Sequence, residues 1–216
     1  SKVLAIDLSL SSLAYAKRKS EEFSAEAIKY MHADILDLGR LKKQFDIIES
    51  SGVLHHMDSP IQGWNVLNDC LKPGGLMKIG LYSEVARQDI VQIRKEIRQL
   101  GILTNNAEMK SFRNMIIVST QKHHQNISKV SDFYSTSTLR DLLFHVQEHR
   151  FTILQIKSHL EELGLKFCGF EGRVVNSFLQ SHKEKNDAYE LDKWQSYEEA
   201  NPRTFGGMYQ FWCQKV

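Results

Sequence analysis

The residues best suited to chemistry sit at the ends of short apolar runs. Val3-Leu4-Ala5-Ile6 runs into Asp7, Ile28 to Leu38 runs into Asp34 and Asp37, and Phe45-Asp46-Ile47-Ile48 leads through small residues to His55-His56. A carboxylate at the tip of such a strand accepts hydrogen bonds from both hydroxyls of a ribose, which is how nucleotide-binding α/β folds use it. The plainer reading of Asp7 is an acidic helix cap, and Asp37 also reads as a turn former. His55 and His56 lie in a loop, where binding and catalytic groups concentrate. Further along, Tyr134 offers a phenol, Arg140 a guanidinium able to grip a carboxylate with two hydrogen bonds, and His145 an imidazole. His145 also stands one turn past Asp141, with which it could simply pair.

The spacing of apolar residues says what must position these groups. Val3 to Ile6 reads as a strand, Ser9 as the cap of a helix with Leu10, Leu13, Ala14 and Ala16 on its apolar side, and Ile28 to Leu38 as a second strand. Phe45 to Ile48 is a third. Ser59-Pro60 then starts a helix whose Ile61, Trp64, Leu67 and Leu71 recur at three- and four-residue steps. Lys72-Pro73-Gly74-Gly75 stops it, and Leu76 to Leu81 is another strand. Two apolar strands joined by a helix form a βαβ unit with parallel strands buried on both faces. An amphipathic helix spans Asp89 to Leu100, and a second helical stretch covers Asn105 to Val118. Thr138 with Asp141, and Thr152 with Gln155, read as capping boxes opening two more helices. Leu165 to Phe170 and Met208 to Val216 read as strands, and Leu191 and Trp194 dock the polar stretch from Gln180 to Pro202 between them. The alternating Phe205, Tyr209, Phe211 and Trp212 suit core packing better than an aromatic cage.

Strand, histidine-bearing loop, helix, LKPGG and strand, over Phe45 to Ser83, closely resembles the fourth and fifth strands of class I S-adenosylmethionine-dependent methyltransferases. DFYSTSTLRDLLFHVQEHRFT, GLKFCGFE and NPRTFGGMYQFWCQK resemble bacterial methyltransferase domains that often follow tetratricopeptide repeats. The resemblance implies a Rossmann-like α/β fold, mostly parallel with an antiparallel C-terminal strand, as one domain over 1–216 with a helical cover inserted at about 84–150. It implies S-adenosylmethionine as cofactor, held by Asp7 and Leu8 at the ribose, Asp34 and Ile35 at the adenine, and Ser50 and Ser51 after the next strand. Asp37 is the alternative to Asp34. Weak catalytic candidates are His55, His56, Tyr134, Arg140 and His145. The family's first strand and its glycine-rich loop have no counterpart here, so an N-terminally incomplete copy is expected, folding poorly or binding cofactor weakly by itself. Two alternatives stand beside methyl transfer to an unidentified small-molecule or protein acceptor. A catalytically silent binding or interaction module of the same fold is one. The other, a nicotinamide-dependent oxidoreductase, is disfavoured by LKPGG and by the lack of a Tyr-x-x-x-Lys relay.

Composition narrows the partners. A 216-residue chain with 42% apolar and 25% charged residues can bury one sizeable core. A formal net charge of +2 gives no footprint for nucleic acid or anionic membrane, and no apolar run approaches the ~20 residues of a membrane span. Cys70, Cys168 and Cys213, odd in number and far apart, suggest free thiols in a reducing cytoplasm. His55-His56 and His123-His124 are adjacent pairs, and sequence neighbours rarely face one ion, so no metal is expected.

Overall fold

Six strands and nine helices are described in a computed structural model that covers residues 2–182 and 184–216. In order they are β1 (Val3–Asp7), α1 (Leu10–Glu22), β2 (Ile28–His32), β3 (Phe45–Ser51), α2 (Pro60–Asp69), β4 (Leu71–Leu81) and α3 (Gln88–Leu100). There follow α4 (Asn106–Val118), α5 (Lys122–Ile127), α6 (Thr136–Leu139), α7 (Ile153–Glu162), β5 (Leu165–Phe170), α8 (Arg173–Ser181), α9 (Leu191–Ala200) and β6 (Tyr209–Lys215). The strands form two sheets. β1 pairs with β2 in parallel, and the other four run in the order β3-β4-β6-β5 with β6 antiparallel to both neighbours. This is the mostly parallel α/β architecture with an antiparallel C-terminal strand that the sequence predicts. Among the described residues no strand hydrogen bonds join β1 to β3.

Local chemistry explains most boundaries. The Ser9 hydroxyl accepts from the Ser12 amide and caps α1, and Pro60 stands in the first turn of α2 although Ser59 makes no side-chain cap. Thr152 and Gln155 form the expected reciprocal capping box of α7. Several expectations need correction. β2 stops at His32, because the Asp34 side chain accepts from the Leu36 amide and turns the chain into a 3₁₀ segment over Ile35–Leu41. LKPGG opens β4 instead of separating it from α2. The register jumps from Phe45↔Leu71 to Ile47↔Leu76, so Lys72–Gly75 bulge out, and Gly74 supplies the positive φ of 75°. Thr138 caps nothing: the helix begins after Ser135, the Thr138 hydroxyl donates to the Asp132 carbonyl, and the chain continues as a π turn over Arg140–Phe144. α1 has the anticipated apolar residues but buries none of them, and Leu10 is exposed.

Two apolar clusters hold the fold. The larger one lies between the four-stranded sheet and its helices, with Trp64, Met77, Ile79, Ile153, Ile156, Trp194, Tyr209 and Phe211 wholly buried. Trp194 stacks on Phe178 at 3.9 Å between centroids, which docks α9 onto α8. The second cluster belongs to the segment between β4 and α7 and joins Ile93 and Ile97 of α3, Phe112 and Ile116 of α4, and Phe133, Leu142 and Phe144. Both ends of that segment are pinned together: the Phe151 amide donates to the Tyr82 carbonyl, and the Glu84 amide to the Phe151 carbonyl. A cover with its own small core therefore leaves and rejoins the sheet at one point. All three cysteines are free thiols, and burial pushes Cys213 up to about 12.

Candidate active site

The two carboxylates singled out at strand tips are brought to one rim. β1 and β2 are parallel and in register as far as Asp7↔His32, and the Ala33 amide donates to the Asp7 carbonyl at 3.3 Å, so Asp34 follows directly beside Asp7. Each side chain is half-committed. Asp7 Oδ1 accepts from the Ser9 amide at 2.7 Å and Asp34 Oδ1 from the Leu36 amide at 2.9 Å. Each Oδ2 has no hydrogen-bond partner among the described residues, which leaves both free to accept from a ligand. His32 Nε2 donates to the Leu8 carbonyl at 2.9 Å and fixes the turn carrying Leu8, whose side chain is exposed. Ile35 is partly buried and packs on the main core, whereas Asp37 turns outward to an ion pair with Arg40 at 3.1 Å. Asp34 is thus the better placed of the two alternatives.

At the tip of β3 the polar groups are buried and unpaired. Among the described residues, seven buried side-chain polar atoms lack a hydrogen-bond partner, and four of them are Ser50 Oγ, Ser51 Oγ and both ring nitrogens of His55. Such groups cost about 1–3 kcal/mol each when left unsatisfied, a cost that a polar ligand reaching this strand tip would relieve. Gly80 of the neighbouring β4 has no room for a side chain there: an added Cβ would lie 2.9 Å from the Ser51 Cα and 2.8 Å from Met208 Sδ.

A row of rings follows. His55 stacks on Tyr82 at 3.7 Å, His56 meets His55 edge-on at 4.4 Å, and His145 lies 3.9 Å from His56. His56 donates through Nδ1 to the Gln147 carbonyl at 2.9 Å, His145 Nδ1 lies 2.7 Å from the same oxygen, and the His149 amide donates to the His55 carbonyl at 2.8 Å. The end of the cover is thereby clasped to the histidine loop. Burial, helped by His56 and the Arg87 guanidinium, pushes His55 down to about 3, and burial also lowers His56. Both rings are neutral near pH 7, and His55 is a weak base. His145 does not pair with Asp141 as its spacing suggests; it faces His56 instead.

Tyr82 also lines a cleft of about 610 Å³. The Arg87 guanidinium lies 3.5 Å over the Tyr82 ring and is held by two hydrogen bonds to Glu148, at 3.1 and 2.8 Å, with Arg94 3.0 Å from the same carboxylate. Asp132, Asp141, Glu171 and Arg173 supply the remaining charges on the cleft wall. Tyr134 and Arg140 are not gathered here. Tyr134 is exposed and its hydroxyl donates to the Ser128 carbonyl, while Arg140 reaches Asn106 on α4. Tyr82, Arg87, Glu148 and Gln147 are the residues that the sequence reading missed. Tyr82 was within reach, since it ends the β4 run, but nothing local links Arg87 to a carboxylate 61 positions away.

Comparison with known proteins bears on the family pattern and the fold. Residues 1–79 match the family model described as a methyltransferase domain. An uncharacterised protein of Synechococcus sp. is 26% identical over 211 residues, covering 90% of this chain and 50% of its own. The chain thus spans about half the length of that relative. The structure of PKMT2 from Rickettsia typhi superposes with a TM-score of 0.69 at 17% identity, over 98% of this chain and 43% of that one, and the same protein has been solved in complex with AdoHcy. Magnesium protoporphyrin IX methyltransferase from Synechocystis, solved with bound SAH, gives a TM-score of 0.51 at 10% identity over 100% of this chain and 65% of its own. The first 79 residues carry the sequence pattern of a methyltransferase domain, and the described chain has the Rossmann-like fold of those enzymes.

Proposed function

We propose that this chain is the S-adenosylmethionine-binding part of a methyltransferase, acting on an acceptor that enters the cleft beside Tyr82. The observation that carries the reading is the pair of half-committed carboxylates, Asp7 and Asp34, on adjacent parallel strand tips. Asp7, on the turn with Leu8, would take the ribose hydroxyls, and Asp34 with Ile35 the adenine edge. The unpaired Ser50, Ser51 and His55 atoms fit the remaining polar part of such a ligand. Bound S-adenosylmethionine would supply a sulfonium methyl that already carries its leaving group.

What remains for the protein is positioning, worth up to ~7–11 kcal/mol in favourable cases. The His55–His56–His145 row stands beside the β3 tip and joins it to the cover through Gln147. Tyr82 stands between that tip and the cleft, and burial raises its pKa, so it presents a neutral phenol. His55 is too weak a base to take an acceptor proton. His56 and His145 are the remaining imidazole candidates where an acceptor needs deprotonation. Protein and small-molecule acceptors both suit a cleft of this size.

The test is transfer of label from methyl-labelled S-adenosylmethionine to fractionated cell extract, with Asp34→Ala as the paired control. Label reaching an acceptor only with the unsubstituted protein supports the reading. Cofactor binding with no transfer to any fraction would instead favour a silent module.

A further inference from the structure

The cover holds a second cluster that methyl transfer does not use. Glu96 on α3 meets two consecutive residues of α5: His123 Nε2 lies 2.6 Å from Oε1 and His124 Nε2 2.7 Å from Oε2. The three potential ligand atoms all fall within 4.8 Å of one another. His123 and His124 are 7% and 3% exposed, and the Glu96 side chain 21%. No Lys or Arg is bonded to this carboxylate among the described residues; its partners are the two imidazoles. Sequence neighbours rarely share an ion because they point apart, but here the two rings, 4.2 Å apart and tilted by 58°, turn their Nε2 atoms onto the same carboxylate.

We infer that Glu96, His123 and His124 form a binding site for a divalent transition metal, zinc being the best match, which ties α5 to α3. Two imidazole nitrogens and one carboxylate oxygen are the donor set that zinc takes with three protein ligands and one open position. Tetrahedral bonds of about 2.0–2.1 Å would set the ligand atoms roughly 3.3 Å apart, inside the 4.8 Å that now spans all three. A supporting contact is already in place. His124 Nδ1 lies 2.7 Å from Ser119 Oγ, so when a metal takes Nε2 the ring proton moves to Nδ1 and is donated to that hydroxyl. The open position has somewhere to face: His123 borders a separate cleft of about 360 Å³ that also carries Asp89 and Asn126.

The protein, stripped with a chelator and titrated with Zn²⁺ alone, should bind one equivalent that is lost in the double variant His123→Ala/His124→Ala and in Glu96→Gln. His159→Ala, outside the cluster, should leave binding unchanged. Co²⁺ should give the visible absorption bands of a tetrahedral site in the unsubstituted protein. Because the double variant can lose α5 altogether, Ser119→Ala provides the second measurement: it keeps all three ligands and should weaken binding by about 10–100-fold. Zinc affinity unchanged by Glu96→Gln and Ser119→Ala, or no site tighter than surface histidines provide, would overturn the assignment and leave the cluster as a hydrogen-bonded clamp.

Discussion

Glu148 is the residue whose removal the structure prices most clearly. Its side chain is 1% exposed and faces the guanidiniums of Arg87, 3% exposed, and Arg94, 11% exposed, with Arg150 at 3.7 Å. Burial lowers the Arg94 pKa and Glu148 opposes it, so the carboxylate is what makes the buried positive charge tolerable. Glu148→Ala leaves two buried cations without their partner. Breaking a buried pair in this way costs about 3–5 kcal/mol, a large part of a typical stability of about 5–15 kcal/mol. For a chain of this size that corresponds to a fall in Tm of roughly 6–20 °C. Asp192→Asn, which breaks the half-exposed Lys157–Asp192 pair at 2.6 Å, is the comparison and should cost below about 1 kcal/mol. Urea unfolding followed by tryptophan fluorescence measures both. Equal losses in the two variants would refute the claim that the buried Arg87–Glu148–Arg94 network contributes more than an exposed pair.

Further outcomes follow from other contacts. Since His55 titrates at about 3 when folded and near its ordinary 6.5 when unfolded, the unfolded chain binds more protons below about pH 6.5. Stability therefore falls as pH drops through that window, by about 2 kcal/mol at pH 5 from His55 alone, and His55→Asn should flatten the urea-midpoint profile between pH 7 and 5. Gly80→Ala forces a Cβ against the Ser51 backbone and should cost about 1–3 kcal/mol while weakening S-adenosylhomocysteine binding; calorimetry showing unchanged affinity would count against the β3 tip as a ligand site. Trp194→Ala empties a fully buried position against Phe178 and should cost about 3–5 kcal/mol in the same unfolding assay, leaving α8 and α9 the first parts to become exchangeable.

The sequence was most informative where chemistry is local. Asp7 and Asp34 could be placed because each ends a run of β-branched and apolar residues, and parallel pairing then brings the two tips together. Capping by Ser9 and the Thr152–Gln155 box also read correctly, being contacts between residues three apart. What depends on distant partners did not show. The histidine row needs His56 to meet Gln147 across 91 positions, and no periodicity encodes that meeting. Thr138 and Asp141 have capping-box spacing, yet Ser135 starts the helix and Thr138 serves the Asp132 carbonyl, because tertiary packing of Leu139, Leu142 and Leu143 into the cover sets where the turn begins. His123 and His124 were set aside because sequence neighbours rarely face one point, yet both rings turn onto Glu96 of another helix, a meeting no local spacing encodes.

Calorimetric titration with S-adenosylhomocysteine, comparing the unsubstituted protein with Asp7→Asn/Asp34→Asn, reaches the account most directly. Each carboxylate is expected to hold one side of the adenosine through charge-assisted hydrogen bonds worth about 1.5–3 kcal/mol. The double variant should thus lose at least ~100-fold in affinity while keeping its Tm. Equal affinity in the two proteins would show that the strand tips do not grip the cofactor.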